Sequence, residues 1–484
     1  MTTVPVAMHP GHDASISYIL NDNLHYMKWE RLLQIKHFGF FDYGKISRKS
    51  YEKFACDYMK RHHNIDIRLI DHNFEHHLFH ALSLDLFENT PIDVHVVIDG
   101  LGDNYDAWCS IYRSMKLVDQ KLVSLTGRGF GMGMGAMANA LGITGHWLDI
   151  PGKLMGLQSY GTFDENHYQS ILKFTIDKLG LAQRNLSQPA VWQPADMNNL
   201  YAVPLAASFK TKLNQVHTIH RRIGELILEL FSKYVKPGER IGYSGGVAQN
   251  VVWNTLLKEK YPNLIIYPHS GDEGQSFGQL EYFRRINKIS TPLNHQYPFM
   301  QSDEAPKSQP TLDTIHRTAK FLANGKIVAW YQNNGEVGPR ALGNRSILFD
   351  PRIEQGRDII NRVKNRESYR PFGASVLLEY AKEYFDLNFE NPYMLYLGKT
   401  QKNNLNSVTH IDGTSRAQTV APNSNNPFRA LLENFFELTK CPVLLNTSLN
   451  EAGKPIAGKI ENALSEFHSK TIDVLVIGDD IYTK

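Results

Sequence analysis

The 484-residue chain is 42% hydrophobic, enough to bury a large core and to form more than one domain. With 52 Lys and Arg against 49 Asp and Glu, its formal net charge of +3 excludes a partner chosen by bulk charge and leaves that role to local clusters. Cys56, Cys109 and Cys441 lie far apart without C-x-x-C spacing, which excludes a thiolate zinc site or a disulfide framework and predicts a reducing, cytoplasmic setting.

From Val4, the runs "VPVAM", "ASISYIL" and "LHYMKWE" predict a three-strand meander. No basic leader precedes it and no apolar run reaches membrane-spanning length, so a soluble protein without a membrane partner is expected. In "DHNFEHHLFHALSL", His72, His76 and His80 recur every fourth residue, with His77 beside them. On a helix such residues stack on one face, where two imidazoles either grip one metal ion or form a solvated surface. "VHVVIDGLGDNYDAWCSIYRSMKLVDQKLVSL" then predicts a buried strand ending at Asp99, a Gly turn and two more strands.

A second acid, Asp272 in "YPHSGDEGQSFG", also sits among glycines. Two His with two Asp make a mixed N/O donor set that suits iron(II), manganese or zinc rather than calcium. Between these acids, "RIGYSGGVAQNVVWN" runs from a strand through Ser244, Gly245 and Gly246 into a helix. That is either a tight turn or a place where backbone N–H groups approach phosphate. The two strand-led units predict a duplicated RNase H-like α/β architecture, as in the actin and sugar-kinase superfamily.

"PLNHQYPFMQSDEAPKSQPTLD", residues 292–313, lacks periodicity and marks a boundary. The expected division is a first domain over 1–295, a linker over 296–312 and a second α/β domain over 313–484. In the latter a helix ("TIHRTAKFLANGK") and a strand ("IVAWYQ") precede the loop "GEVGPRALGNRSILFDPR", followed by strands "SVLL" and "CPVLLNTSLN".

Together, "HDASISYI", "WERLLQIKH", "HHLFHA", "IDGLGD", "GKLMGLQSYG", "SGGVAQN", "GDEGQSFG", "GEVGPRALGNRSILFDPR", "VKNRESYRPFGASVL" and "LLNTSLNEAGKPI" resemble the NodU/CmcH-type O-carbamoyltransferase family (TobZ-like), in family order over nearly the whole chain. The resemblance implies a threonylcarbamoyltransferase-like domain followed by a YrdC-like domain. In that family carbamoyl phosphate and ATP give carbamoyladenylate in the YrdC-like domain, and the other domain passes the carbamoyl group to an acceptor hydroxyl. Two polyanions brought together need fixed cations. The implied cations are Arg340 and Arg345 with Lys364, Arg366 and Arg370, while Asn446 and Ser448 supply neutral hydrogen bonds, Glu336 orients an arginine and Mg accompanies ATP.

In the first domain the resemblance maps the metal, iron(II) foremost, onto His76, His80, Asp99 and Asp272, with His72 and His77 as neighbours. It maps AMP onto Gly245, Gly246 and Asn250, and the acyl phosphate onto Lys153. His12 and Asp13 follow the first strand at a cleft mouth, where His12 is either the base for the acceptor hydroxyl or a buried, hydrogen-bonded histidine next to a turn. Gln249 departs from the family, which has an apolar residue there, and so do Pro151 and Gly152, where an acid often precedes the lysine. The expected acceptor is a sugar or small-molecule alcohol, or the hydroxymethyl group of 5-hydroxymethylcytosine in a nucleotide or DNA. Rival readings are a tRNA or protein (threonyl)carbamoyl transferase and a non-catalytic nucleotide- or RNA-binding protein. A homodimer is one option for the assembly.

Overall fold

A computed structural model of the chain describes residues 3–40, 47–71, 75–100, 102, 107–122, 129–179, 199–422 and 426–484. His72 lies outside them. By contacts the chain divides into two compact units, one of residues 71–289 and one of residues 1–70 with 290–484. This partition cuts inside the stretch 1–295 that sequence reading takes as one domain. The reason is a set of long-range backbone hydrogen bonds: Leu24 N–H donates to Asn294 O (2.9 Å), Asn294 N–H to Asp22 O (2.8 Å) and Ser302 N–H to Tyr26 O (3.0 Å). They stitch Asn294 and Ser302, on either side of the expected linker start, to the third strand of the amino-terminal meander and the turn before it.

In the 71–289 unit, strand Val94–Ile98 pairs antiparallel with Ala107–Arg113, which pairs antiparallel with Lys116–Leu122. On its other side it pairs parallel with Ile241–Ser244, which is followed by Leu264–Ile265. Val94 to Ile98 are all buried, as expected for a central strand covered on both faces. Helix Phe209–Tyr234 turns an apolar stripe of Leu213, Val216, Ile223, Ile227 and Leu230 inward. Helices His76–Asp85 and Gln275–Ile286 pack so closely that a Cβ on Gly278 would overlap the carbonyl of Phe79.

In the other unit a four-stranded sheet has the order Asn23–Lys28, Ser15–Leu20, Val4–His9, Ile67–Leu69. It repeats the pattern of an antiparallel meander whose first strand takes a parallel neighbour. Its own core gathers Val6, Ile16, Met27, Trp29, Phe40 and Met59. The same unit holds an eight-stranded mixed sheet ordered Gly398–Lys399, Thr414–Val420, Gly373–Leu377, Val443–Ser448, Arg345–Phe349, Val328–Tyr331, Val474–Ile477, Asp480–Thr483. The second half of the arginine-rich loop is therefore a central strand, because Ser346 to Phe349 are buried between two paired neighbours. Among the described residues no helix is long and apolar enough to cross a membrane.

Gly278→Ala should destabilise the 71–289 unit by about 1–3 kcal/mol, since the methyl group must push two packed helices apart. Urea unfolding would show this as a lower midpoint, and an unchanged midpoint would refute the close approach.

Candidate active site

His76 and His80 stand one turn apart on helix His76–Asp85, Asp99 follows strand Val94–Ile98, and Asp272 opens the 3-10 turn Asp272–Gly274. One donor atom of each lies within 4.8 Å of all the others. His76 Nε2 is 2.9 Å from Asp99 Oδ2 and 3.4 Å from Asp272 Oδ1, and His80 Nε2 is 3.2 Å from both oxygens. A metal bound at about 2.1 Å has neighbouring ligand atoms about 3.0 to 3.4 Å apart, so the donor set fits a small divalent ion.

Burial alone would push the His76 ring down, but the carboxylates of Asp272 and Asp99 hold it well above the usual histidine value. Burial would likewise raise Asp99, yet the hydrogen bonds from His76 and His80 keep its carboxyl well below the usual range. His77 points elsewhere: its Nδ1 meets Ser110 Oγ at 2.6 Å, and burial pushes it down to about 3.

The glycine turn adjoins this centre. Gly246 N–H donates to Asp99 Oδ1 (2.9 Å), and Gly245 takes a left-handed φ of 92° where a Cβ would overlap Ile98 O. Gln249 bonds through Nε2 to Ser270 Oγ (2.8 Å) and Pro268 O (2.9 Å), joining this turn to the segment that leads to Asp272. Asn250 caps helix Val251–Lys260, accepting at Oδ1 from Val252 and Trp253 N–H, while its Nδ2 donates to His220 Nε2 (3.0 Å). Its side chain thus serves the helix rather than facing outward. Lys153 donates to Thr144 O at 2.8 Å within its own segment.

His12 and Asp13 belong to the other unit. Asp13 meets His12 Nδ1 (3.1 Å), His37 Nδ1 (3.1 Å) and Lys28 Nζ (2.8 Å). Asp13, Glu30 and His37 also lie at ligand spacing. The ammonium of Lys28, 3.1 Å from Glu30 Oε1, already links the two carboxylates and makes a metal redundant there.

The same unit gathers the cations. Burial and repulsion from Arg370 bring Arg340 down to about 10, and burial with neighbouring cations depresses Lys364 and Arg366 well below their usual values. Sequence reading missed Arg416, on strand Thr414–Val420. Burial, then Arg340, Arg366 and Arg370, depress it strongly, and its Nε has no hydrogen-bond partner among the described residues. Its strand neighbour is Gly373, where a Cβ would come within 2.9 Å of the Met394 sulfur, so the Met394 thioether occupies that face.

Lys364 Nζ is held by Ser448 O (2.5 Å), Ser448 Oγ (3.2 Å), Asn450 Oδ1 (2.6 Å) and Asn450 O. Arg366 donates to Asn361 Oδ1 (2.6 Å) and Pro371 O (3.0 Å) and lies 4.0 Å from the Phe372 ring centre. Asn446 Nδ2 bonds Ser375 Oγ (3.0 Å) and Ala341 O (3.3 Å), which steadies the segment after Arg340.

Arg345 stands apart from this group. It is fully buried over the Tyr331 ring, with its guanidinium on the carbonyls of Gln332, Asn333 (2.8 Å), Asn344 (3.1 Å) and Glu304 (3.3 Å). Those bonds strap the loop to the segments around Glu304 and Gln332 that precede it. Glu336 accepts at Oε1 from the backbone N–H groups of Leu342 (2.7 Å), Asn344 (2.7 Å) and Arg345 (3.1 Å). It fixes the loop's backbone rather than an arginine side chain.

The family model described as Carbamoyltransferase N-terminus matches residues 13–279, and Carbamoyltransferase C-terminus matches 319–484. The nodulation protein NolNO of Sinorhizobium fredii is 35% identical over 271 residues, 51% of this chain and 40% of that protein. The nodulation protein NolO of Bradyrhizobium diazoefficiens is 30% identical over 374 residues, 69% and 65% of the two chains. The 3'-hydroxymethylcephem-O-carbamoyltransferase of Amycolatopsis lactamdurans is 30% identical over 272 residues, 54% and 52%. The chain thus spans less than two thirds of the length of each of these relatives. HypF of T. kodakarensis aligns with a TM-score of 0.35 and 11% identity over 60% of this chain and 48% of that one, too loosely to carry an argument.

His76→Ala and His80→Ala should each remove most of the bound divalent metal, read by elemental analysis of the purified protein. In the metal-free protein the raised affinity of His76 and His80 for protons makes acid compete strongly. Metal occupancy should therefore fall on acidification from about pH 7.5 to about pH 5.5. Full occupancy in both variants would move the metal to other ligands.

Proposed function

Because the chain belongs to the carbamoyltransferase family, we propose that it is an ATP-dependent O-carbamoyltransferase that forms carbamoyladenylate and then carbamoylates an alcohol. The observation that carries this reading is the cluster of Arg340, Lys364, Arg366, Arg370 and Arg416, whose mutual repulsion an anionic ligand would relieve. Carbamoyl phosphate and the triphosphate of ATP have the charge to do so, and planar guanidinium groups match phosphate oxygens in pairs.

Atom balance for the first step consumes one water and one carbamoyl phosphate. A carbamate oxygen bonds to the α-phosphorus of ATP, while phosphate and pyrophosphate depart. The reading assigns this step to a YrdC-like domain built on the eight-stranded sheet. It assigns the transfer step to a duplicated RNase H-like part, for which the shared strand pattern of the four- and five-stranded sheets is support.

In the transfer step the acceptor oxygen bonds to the carbamoyl carbon, the bond from that carbon to the AMP phosphate breaks, and the hydroxyl proton goes to His12. A divalent ion held by His76, His80, Asp99 and Asp272, iron(II) first with manganese or zinc as alternatives, would supply positive charge that makes the phosphate a better leaving group. Gly245 and Gly246, whose own N–H groups are taken by Ser270 O and Asp99 Oδ1, would admit the AMP phosphate by keeping the turn beside those ligands clear of side chains, and Lys153 would add a further charge.

The acceptor proposed is a hydroxymethyl or sugar hydroxyl. The cephem relative's name specifies a hydroxymethyl group, and hydroxymethylcytosine in a nucleotide or DNA presents the same primary alcohol.

Carbamoyl-phosphate-dependent release of pyrophosphate from ATP tests the first step. Arg370→Ala or Arg416→Ala should slow it about 30- to 1000-fold, the effect of losing about 2–4 kcal/mol of charge-assisted contact. Absence of any release in the unaltered protein would favour a nucleotide-binding role instead.

For the acceptor, the enzyme is incubated with ATP, carbamoyl phosphate and either hydroxymethylcytosine DNA or a panel of sugars, and the products are weighed. A carbamoyl mass gain on the nucleoside that weakens steeply with salt would select DNA. A gain on sugars alone would exclude it.

A further inference from the structure

Strands Val4–His9 and Ser15–Leu20 are joined by a turn in which Asp13 takes a left-handed φ of 58°, a conformation that Asp tolerates better than most residues. Its carboxylate is buried and meets three partners. Lys28 Nζ lies 2.8 Å and His37 Nδ1 3.1 Å from Oδ1, and His12 Nδ1 lies 3.1 Å from Oδ2. A carboxylate only accepts hydrogen bonds, so both imidazoles donate through Nδ1, and each neutral ring then keeps its lone pair on Nε2.

The described neighbours support this arrangement. Glu30 Oε1 is 3.1 Å from Lys28 Nζ, and Glu30 Oε2 accepts from the backbone N–H of His37 at 2.8 Å, fixing where that ring begins. His9 is buried on the adjoining strand, and a Cβ on Gly11 would come within 2.8 Å of its Nε2. Burial would raise the Asp13 carboxyl, but Lys28 and the two histidines outweigh it and hold the group well below the usual range.

We infer that Asp13, clamped by Lys28, is a shared positioning carboxylate that draws the Nδ1–H groups of both His12 and His37 to one turn and so fixes the orientation of both rings. Two consequences follow from sharing. Charging one ring disfavours charging the other, because each imidazolium would repel its neighbour across the same carboxylate. The two rings therefore gain their protons in two separate steps rather than together.

On the transferase reading, which this role extends and rests on, that first proton is the one lost by the acceptor hydroxyl. His12, with its side chain 31% exposed against 14% for His37, is the more accessible ring. The resulting imidazolium stays balanced by Asp13 while the carbamoyl–oxygen bond forms and AMP departs.

The test reads tautomers directly. Full-length protein labelled with nitrogen-15 in histidine is followed by two-bond proton–nitrogen spectra from about pH 5 to about pH 9, with the rings assigned through His12→Asn and His37→Asn. Both rings should show Nδ1–H above their midpoints. Asp13→Asn should lower both midpoints by about one pH unit, and Lys28→Met should raise them.

Nε2–H rings in the unaltered protein would overturn the inference, and so would midpoints within about 0.3 unit of the original in folded Asp13→Asn protein. Should Asp13→Asn fail to fold, the tautomers of the unaltered protein and the direction of the Lys28→Met shift decide. If Nδ1–H tautomers are found but no alcohol accepts a carbamoyl group, the transferase reading fails while the shared carboxylate stands.

Discussion

The carboxylate of Asp99 joins three pieces of chain that reach it from far apart in sequence. Oδ2 meets His76 and His80, 23 and 19 residues earlier, and Oδ1 takes the N–H of Gly246, 147 residues later. A buried carboxylate is costly unless every lone pair is answered, so helix, strand end and glycine turn must be in place together. Gly245 makes this possible, since its left-handed backbone lets the turn pass over Ile98 O where a side chain would collide. The turn proposed for AMP and the ligands proposed for the ion are thus ordered by one group.

The two units solve opposite electrostatic problems. Around Asp99 and Asp272 the structure assembles acids and imidazoles whose donor atoms converge, which favours a cation. Around Arg416 it assembles guanidinium groups that repel one another, which favours an anion. Holding like charges together requires a stiff frame. Glu336 gathers three backbone N–H groups of the arginine-rich loop, Arg345 straps the same loop through carbonyls, and Asn446 bonds Ala341 O from the sheet. Arg31 adds hydrogen bonds to Glu336 O and Gly338 O, both at 3.2 Å.

Much of this was legible from sequence because the signals were local. Histidines four apart on a helix and acids at strand ends beside glycines already say which donors can converge. Arg345 reads as a ligand because it shares a loop with Arg340, and only its burial over Tyr331 shows a guanidinium turned to carbonyls. Arg416 was invisible for the converse reason: "TSRAQTV" reads as an ordinary alternating strand, and only the folded sheet brings it beside Arg340, Arg366 and Arg370. Asn250 carried a helix-cap signal, an Asn just before the apolar helix start, that competes with a ligand role. The union of 1–70 with 290–484 has no local signature, because backbone bonds such as Leu24 to Asn294 carry no side-chain pattern.

That union bears on how the chain is made. Residues 1–70 and 290–484 form one compact unit with residues 71–289 between them in sequence, so the ribosome must add about 220 residues before the rest of that unit appears. At about 5–20 residues per second this interval lasts roughly 10 to 45 seconds. The amino-terminal sheet has its own apolar cluster around Trp29 to bridge the wait. Arg31, whose guanidinium lies 3.8 Å from Asp303 in the finished fold, has no such counterpart until late in synthesis. The nascent chain thus carries a solvated arginine at the place where two distant segments later close, and closure must strip that water away.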